Sequence, residues 1–210
     1  LLPLLLLFIY TIYSLFPSFT SIIMLDGILE RLGTDYLDIL HINWPERYIP
    51  LYGAPRYDYE CERKVEETVT IAEQITIMNE LIKAGKIRHY GLSNETPYGL
   101  TAFITTAKFM NLQGPCTVQN AYNLLDRNDF ETGLLESVSP TNSNVAVLAY
   151  SPLAGGALTG KYKRSIKKKG LVGEDGWRFS EYIGFQHRYI ADPAIEALDA
   201  YQKIADNLSL

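Results

Sequence analysis

The chain has 210 residues, of which 47% are hydrophobic and 20% are charged, with a formal net charge of −5 at pH 7. The hydrophobic fraction is too high for a disordered chain, and the acidic balance argues against a nucleic-acid partner. The two cysteines, Cys61 and Cys116, belong to no CxxC pair and have no histidine at metal-ligand spacing. We therefore expect no disulfide scaffold, no metal site and a reducing compartment such as the cytoplasm.

Residues 1–25 form an apolar leader without a charged side chain, and the first carboxylate is Asp26. The stretch is long enough to cross a hydrocarbon core of about 30 Å as a helix, although Pro3 and Pro17 interrupt it. Three interpretations stay open: a targeting or membrane segment, a stretch from a faulty gene model, or a buried element of the fold. A genuine targeting segment would make the protein membrane-associated or organellar.

After the leader, the chain alternates helical patterns with short runs rich in β-branched and apolar residues. Residues 26–32 are typical of the end of an amphipathic helix, which Gly33 terminates. A strand is predicted over 36–41, and the Tyr- and Pro-rich residues 45–66 are predicted to form a long loop.

The same alternation continues through the second half of the chain. Thr70 and Glu73 predict a capping box at the start of a helix that Gly85 ends. Further predicted elements are strands over 87–92, 116–120 and 145–150, a helix opened by Thr96 and Pro97, and helices over 130–138 and 193–208. The run 145–150 is continuously apolar, which predicts burial on both faces.

This alternation is that of an α/β barrel or a doubly wound parallel sheet. An eight-unit barrel typically needs about 250 residues, whereas about 185 residues follow the leader. We therefore expect residues 26–210 to form an incomplete (β/α)8 TIM barrel, with about half to two-thirds of its units.

Polar or aromatic residues lie at the carboxyl end of each predicted strand or directly after it, where an α/β barrel places its working residues. They are His41, Ser93 and Asn94, Gln119 and Asn120, and Tyr150 and Ser151. An imidazole, carboxamides, hydroxyls and an aromatic face suit a flat, amide-bearing ring with a small carbonyl compound beside it. The sequence contains no nucleophile elbow, Walker loop, HExxH motif or paired metal carboxylates.

Four segments of the chain resemble successive strands of one enzyme family. They read RLGTDYLDILHINWP over 31–45, AGKIRHYGLSN over 84–94, TVQNAYNLL over 117–125 and AYSPLAGGALTGKY over 149–162. They resemble strands four to seven of the aldo-keto reductases, and WPER at 44–47 with SNET at 93–96 resembles the Tas-like branch.

The resemblance implies NADP(H)-dependent reduction of a small-molecule aldehyde or ketone to an alcohol. His41 matches the family's catalytic histidine, which orients and polarises the carbonyl. Ser93, Asn94 and Gln119 match the groups that bind the nicotinamide carboxamide, and Tyr150 matches the aromatic residue that stacks on the nicotinamide ring.

The resemblance also assigns a loop to the cofactor's pyrophosphate. Within residues 151–161, it places Ser151, Leu153, Gly155, Gly156 and Lys161 along the cofactor. The two adjacent glycines would permit close approach of the backbone.

The chain also departs from the family pattern. The family's acid Tyr, its Lys and its Asp lie on strands one to three, and no family motif precedes Asp26. The family's site for the 2′-phosphate lies beyond the part that resembles this chain. We therefore expect a fragment of a reductase domain without turnover by itself. The alternative is a non-catalytic nucleotide-binding or interaction module on the same scaffold, and the oligomeric state stays open.

Overall fold

The structure is a computed structural model that describes residues 9–12, 18–50, 57–63, 69–165, 170–172, 179 and 187–209. Residues 1–8 and 13–17 of the predicted leader lie outside the described residues. No helix within the described ranges is both long and apolar enough to span a bilayer.

Strands and helices alternate along most of the chain. The strands are β1 (Ile9–Ile12), β2 (Leu37–Ile42), β3 (Ile87–Ser93), β4 (Thr117–Ala121), β5 (Ala146–Tyr150), β6 (Lys163–Ser165) and β7 (Gly170–Val172). The α-helices are α1 (Ser18–Leu32), α2 (Tyr59–Glu62), α3 (Ile71–Lys83), α4 (Pro97–Met110), α5 (Leu135–Val138) and α6 (Asp192–Leu208). A π-helical turn at Phe130–Leu134 precedes α5, and 3-10 turns occur at Ala154–Thr159 and His187–Tyr189.

The main sheet contains five strands in the order β1-β2-β3-β4-β5, and the first three pairs are parallel. A doubly wound sheet reverses its strand order at a switch point, whereas the strands of a (β/α)8 barrel follow chain order. The observed order therefore decides between the two predicted architectures in favour of the barrel type. No pairing among the described strands joins β1 to β5, so the sheet is open there.

Contacts divide the chain into two compact units. Among the described residues, the first comprises 9–12, 18–49, 57–63, 69–120 and 130–148, and the second comprises 50, 121–129, 149–165, 170–172, 179 and 187–209.

In the first unit, the two faces of the sheet differ in character. One face carries Leu40, Ile42, Tyr90, Leu92 and Val118, all of which are buried. Helices α3 and α4, which contact each other, add Ile75, Met78, Leu81, Leu100 and Phe103 to the core. Because side chains alternate along a strand, the opposite face presents His41, Ser93 and Gln119.

In the second unit, the core is a small cluster of buried residues around the 3-10 turns. Its members are Ala154, Ala157, Tyr162, Phe179 and Tyr189. The rings of Tyr162 and Phe179 lie 4.6 Å apart between centroids, and Leu125, Leu158, Ile190 and Leu198 pack against the cluster.

The predicted helix signals are confirmed. Thr70 and Glu73 form the capping box of α3, and Gly85 follows the helix with a φ of +75°, which glycine adopts without steric cost. The Thr96 side chain accepts a hydrogen bond from the Gly99 amide, and Pro97 begins α4.

One local expectation differs from the structure, and one element was not predicted. The prediction that 145–150 is buried on both faces is wrong, because β5 is the last strand of the sheet and Ala146 and Ala149 are exposed. The helix end predicted over 26–32 is confirmed as the end of α1, which begins at Ser18 and is followed by Gly33 with a φ of +67°. Residues 9–12 pair with β2, an element that the uncharged leader did not reveal.

We predict that Thr70→Ala lowers the free energy of unfolding by about 1 kcal/mol. The substitution removes the hydroxyl that accepts from the Glu73 amide at 3.3 Å and donates to its carboxylate at 2.7 Å. Urea denaturation measures the change, and Thr70→Ser, which keeps the hydroxyl, is the matched control. Equal losses in the two variants would contradict the role of the cap.

Candidate active site

The parallel register brings the predicted residues of the first unit to one end and one face of the sheet. His41 on β2 lies opposite Gly91 on β3, which lies opposite Thr117 on β4. Two residues further along the strands, Ser93 lies opposite Gln119. Since two residues of a strand span roughly 6.6 Å and neighbouring strands lie about 4.8 Å apart, the imidazole lies close to the hydroxyl and carboxamide groups.

The imidazole of His41 crosses β3 to reach β4. The side chain is fully buried, and its Nε2 atom lies 2.8 Å from Thr117 Oγ1. Gly91 makes this contact possible, because a Cβ there would lie 2.5 Å from His41 Nε2 and would collide with Thr117 Oγ1. A glycine inside a predicted strand indicates such a close approach, so Gly91 is the sequence feature from which the contact could have been predicted.

Burial makes His41 a neutral group. Desolvation lowers its pKa to about 4, so the ring carries a single proton at neutral pH. Within the described residues, Nδ1 is buried without a hydrogen-bond partner. A neutral imidazole held by one hydroxyl can serve as a hydrogen-bond partner for a carbonyl oxygen.

Hydroxyl and amide groups surround the ends of β3 and β4. Ser93 Oγ donates to the backbone carbonyl oxygen of Gln119 at 3.0 Å. The backbone amide of Asn94 donates to the same oxygen at 2.9 Å. Asn94 Nδ2 donates to the Asn43 carbonyl oxygen at 2.7 Å and to Ser93 Oγ at 3.2 Å. The half-buried side chain of Gln119 makes no hydrogen bond within the described part of the chain, which leaves both its donor and its acceptor for a ligand.

The other predicted site residues lie in the second unit. Tyr150 is half-buried, and its carbonyl oxygen accepts from the Tyr122 amide at 3.3 Å. The loop that follows has several left-handed residues, with φ values of +54° at Ser151, +65° at Gly155 and +97° at Gly156. A left-handed backbone costs energy for most residues, whereas glycine adopts it without that cost.

The side chains of this loop are mostly exposed. Leu153 is 56% exposed, and Lys161 is exposed as well. A Cβ at Gly156 would lie 2.9 Å from Lys161 Cε, so the lysine stem passes close over the glycine backbone. This close approach brings a cation to the backbone of the predicted phosphate-binding loop.

No sequence pattern predicted that the Asn123 side chain binds the backbone carbonyl oxygen of Ser151. Asn123 Nδ2 donates to the Ser151 carbonyl oxygen at 3.0 Å and to the Tyr189 hydroxyl at 3.1 Å. That hydroxyl donates to Asp126 Oδ2 at 3.1 Å, and Arg188 Nε donates to the same oxygen at 2.8 Å. Burial raises the pKa of Tyr189, which keeps its hydroxyl protonated as a donor. No local pattern links Asn123 to Tyr189, which is 66 residues away.

Comparison with known proteins agrees with this geometry. The model of the aldo/keto reductase family matches residues 23–207. The chain belongs to this family. The predicted resemblance is confirmed, and β1 lies outside the matched residues.

Individual relatives support the same assignment. An aldo-keto reductase of Babesia bovis is 39% identical over 184 residues, which are 86% of this chain and 63% of that protein. Protein Tas of Escherichia coli is 37% identical over 177 residues, which are 84% of this chain and 47% of Tas, so the Tas-like branch is supported. The chain thus spans about half to two-thirds of the length of these relatives.

A solved structure confirms the barrel-type α/β fold. The aldo/keto reductase of Klebsiella pneumoniae, solved in complex with NADP and acetate, matches with a TM-score of 0.52 and 25% identity. The match covers 72% of this chain and 44% of the Klebsiella chain.

We predict that Gly91→Ala lowers the free energy of unfolding by about 1–3 kcal/mol, because the new methyl group displaces the imidazole or the Thr117 hydroxyl. The control is Gly114→Ala, where a Cβ would meet Ala107 Cβ at an ordinary 3.5 Å. We expect the control to change stability by less than about 0.5 kcal/mol. Urea denaturation of both variants gives the comparison, and similar losses would refute the close approach at Gly91.

We predict that stability falls as the pH is lowered from 6.5 to about 4, the ordinary and folded-state pKa values of His41. The folded pKa is depressed, so the unfolded chain takes up a proton first and its population grows on acidification. The difference between the two pKa values corresponds to roughly 3 kcal/mol of stability. This contribution is fully present above pH 6.5 and is lost as the pH falls to about 4. Urea midpoints across this range provide the measurement.

His41→Gln should flatten this part of the pH profile. An unchanged profile in this variant would contradict the assignment of the pH dependence to His41.

Proposed function

We propose that the protein is an NADP(H)-dependent aldo-keto reductase that reduces small aldehydes or ketones to alcohols. The observation that carries the proposal is the shared sheet face of His41, Ser93 and Gln119, where a neutral imidazole lies close to a half-buried carboxamide. The NADP complex of the Klebsiella relative supports the choice of cofactor.

The residues of the first unit fit the nicotinamide end of the cofactor. The nicotinamide carboxamide needs one acceptor and one donor, and the side chain of Gln119 offers both. Ser93 and Asn94 add a hydroxyl and a second carboxamide at the neighbouring strand end. We propose that these three residues orient the nicotinamide ring.

His41 is proposed as the catalytic residue of this unit. When bound, the reduced cofactor would supply a hydride for the carbonyl carbon, and the family's acid Tyr, which no motif of this sequence matches, would supply the proton for the carbonyl oxygen. His41 forms a hydrogen bond to the carbonyl oxygen and thereby polarises the carbonyl. Thr117 fixes the orientation of the ring through its contact with Nε2. The low pKa of His41 keeps the ring neutral while it polarises the carbonyl.

In the second unit, we propose that Tyr150 stacks on the nicotinamide ring and that the following loop binds the pyrophosphate. Within that loop the proposal assigns Ser151, Leu153, Gly155, Gly156 and Lys161. The support is local: consecutive left-handed residues shape the backbone, and the Lys161 ammonium lies beside Gly156. Lysine is a frequent ligand of phosphate.

We propose different outcomes for cofactor binding and for substrate turnover by this chain. No motif in this sequence matches the family's acid Tyr, Lys and Asp. We therefore propose that the 210-residue chain binds NADPH but does not oxidise it when an aldehyde is added. A reducing, cytoplasmic location completes the proposal and agrees with the sequence, whose two cysteines, Cys61 and Cys116, belong to no CxxC pair.

We predict that the purified chain enhances NADPH fluorescence in a saturable titration and that Gln119→Ala weakens binding about tenfold, the loss of one or two hydrogen bonds. Gln113→Ala, at an exposed position between α4 and β4, is the matched control and should bind as the unsubstituted chain does. Absence of saturable binding would overturn the proposed cofactor. Aldehyde-dependent oxidation would instead overturn the proposed lack of turnover.

A further inference from the structure

A buried ion pair connects the segments that follow β2 and β3. Arg47 Nη1 donates to Glu95 Oε1 at 2.9 Å, and Nη2 donates to Glu95 Oε2 at 2.7 Å. The side chain of Glu95 is only 3% exposed, and that of Arg47 is 18% exposed. Two parallel charge-assisted bonds fix distance and orientation together.

The start of α4 is shaped around this pair. A Cβ at Gly99 would collide with Glu95 Oε2 and Arg47 Nη2. Thr96 adds two further bonds, since its hydroxyl accepts from Arg47 Nη2 at 3.1 Å and its amide donates to Glu95 Oε2 at 3.0 Å. The pair therefore occupies a specific place in the fold.

The pair lies directly beside Asn94. This residue adopts a φ of +59°, a left-handed conformation that asparagine visits more readily than most residues and that its neighbours must fix if it is to stay in one geometry. On one side Ser93 belongs to β3. On the other side Glu95 is held by Arg47 through its carboxylate and by Asn120 Nδ2, which donates to its carbonyl oxygen at 2.9 Å.

Stability alone is a weak explanation for this arrangement. Burying two charges costs desolvation energy that their attraction often only offsets. A more exposed pair, Arg88 with Asp38 at 2.8 Å, joins β2 and β3 near their amino ends, roughly 20 Å from Asn94 along the strand. The costly pair is thus the one that adjoins the candidate cofactor residues.

We propose that Arg47 and Glu95 are positioning residues that fix Asn94 in its left-handed conformation and thereby set the affinity for the nicotinamide carboxamide. The proposal rests on the proposed function for the identity of the ligand. The pair itself needs no contact with the cofactor, because its effect is transmitted through the backbone from Glu95 to Asn94.

The test compares Arg47→Lys with Arg88→Lys in the 210-residue chain. Lysine keeps the charge but loses the bidentate fork, so the same substitution loosens one pair at the candidate site and one pair remote from it. Glu95→Gln, which keeps an acceptor without the charge, is a second variant if Arg47→Lys folds poorly.

Two readouts separate the inference from the proposed function. Hydrogen exchange followed by mass spectrometry reports the Asn94 amide, which is bonded to the Gln119 carbonyl oxygen, without any cofactor. We expect it to accelerate at least about tenfold in Arg47→Lys and Glu95→Gln while α3 stays protected. NADPH titration should show binding weakened about tenfold in the same variants and changed less than about twofold in Arg88→Lys.

Unchanged exchange at Asn94 would overturn the inference whatever the cofactor result. Acceleration that extends to α3 would show a merely structural role and would overturn it too, as would faster exchange with unchanged NADPH affinity. If the unsubstituted chain binds no NADPH, the proposed function fails, and the exchange measurement alone decides whether the pair holds Asn94.

Discussion

The parallel pairing of β2, β3 and β4 is the constraint on which the candidate site depends. It places His41, Gly91 and Thr117 in one row across three strands. A one-residue slip of β3 would turn Gly91 to the helix-covered face and place a side chain between His41 and Thr117. The core residues Tyr90 and Leu92 oppose such a slip, because it would move them away from the helices that bury them.

The same register explains why this end of the sheet is chemically unusual. A histidine that loses water on all sides becomes neutral, and its Nδ1 atom finds no partner among the described residues. Asn120 Oδ1 nearby is likewise buried without a partner there. Such unsatisfied groups cost stability, and natural proteins tend to retain them where function requires them.

Periodicity and capping signals were sufficient to predict α3, β2 and β3 to within a residue or two and the start of α4 at Pro97, because local chemistry dictates these features. They could not predict the contact between His41 and Thr117, which are 76 residues apart and meet through the register alone. The prediction that β5 is buried on both faces was wrong for a related reason, because composition does not reveal which strand lies at the edge of a sheet. The roles of the candidate site residues stay predictions.

The backbone is left-handed at two strand ends, and at each of them a hydrogen bond from another segment holds it. Asn94 after β3 and Ser151 after β5 are both left-handed, with φ values of +59° and +54°. Each is tied by a hydrogen bond to a residue on or after β4: the Asn94 amide to the Gln119 carbonyl oxygen, and the Ser151 carbonyl oxygen to Asn123 Nδ2. Strain of this kind costs about 1–3 kcal/mol per residue and persists only while such partners stay in place. Each left-handed conformation therefore depends in part on a partner that β4 or its following turn supplies, and for Asn94 this partner acts together with the Arg47–Glu95 pair.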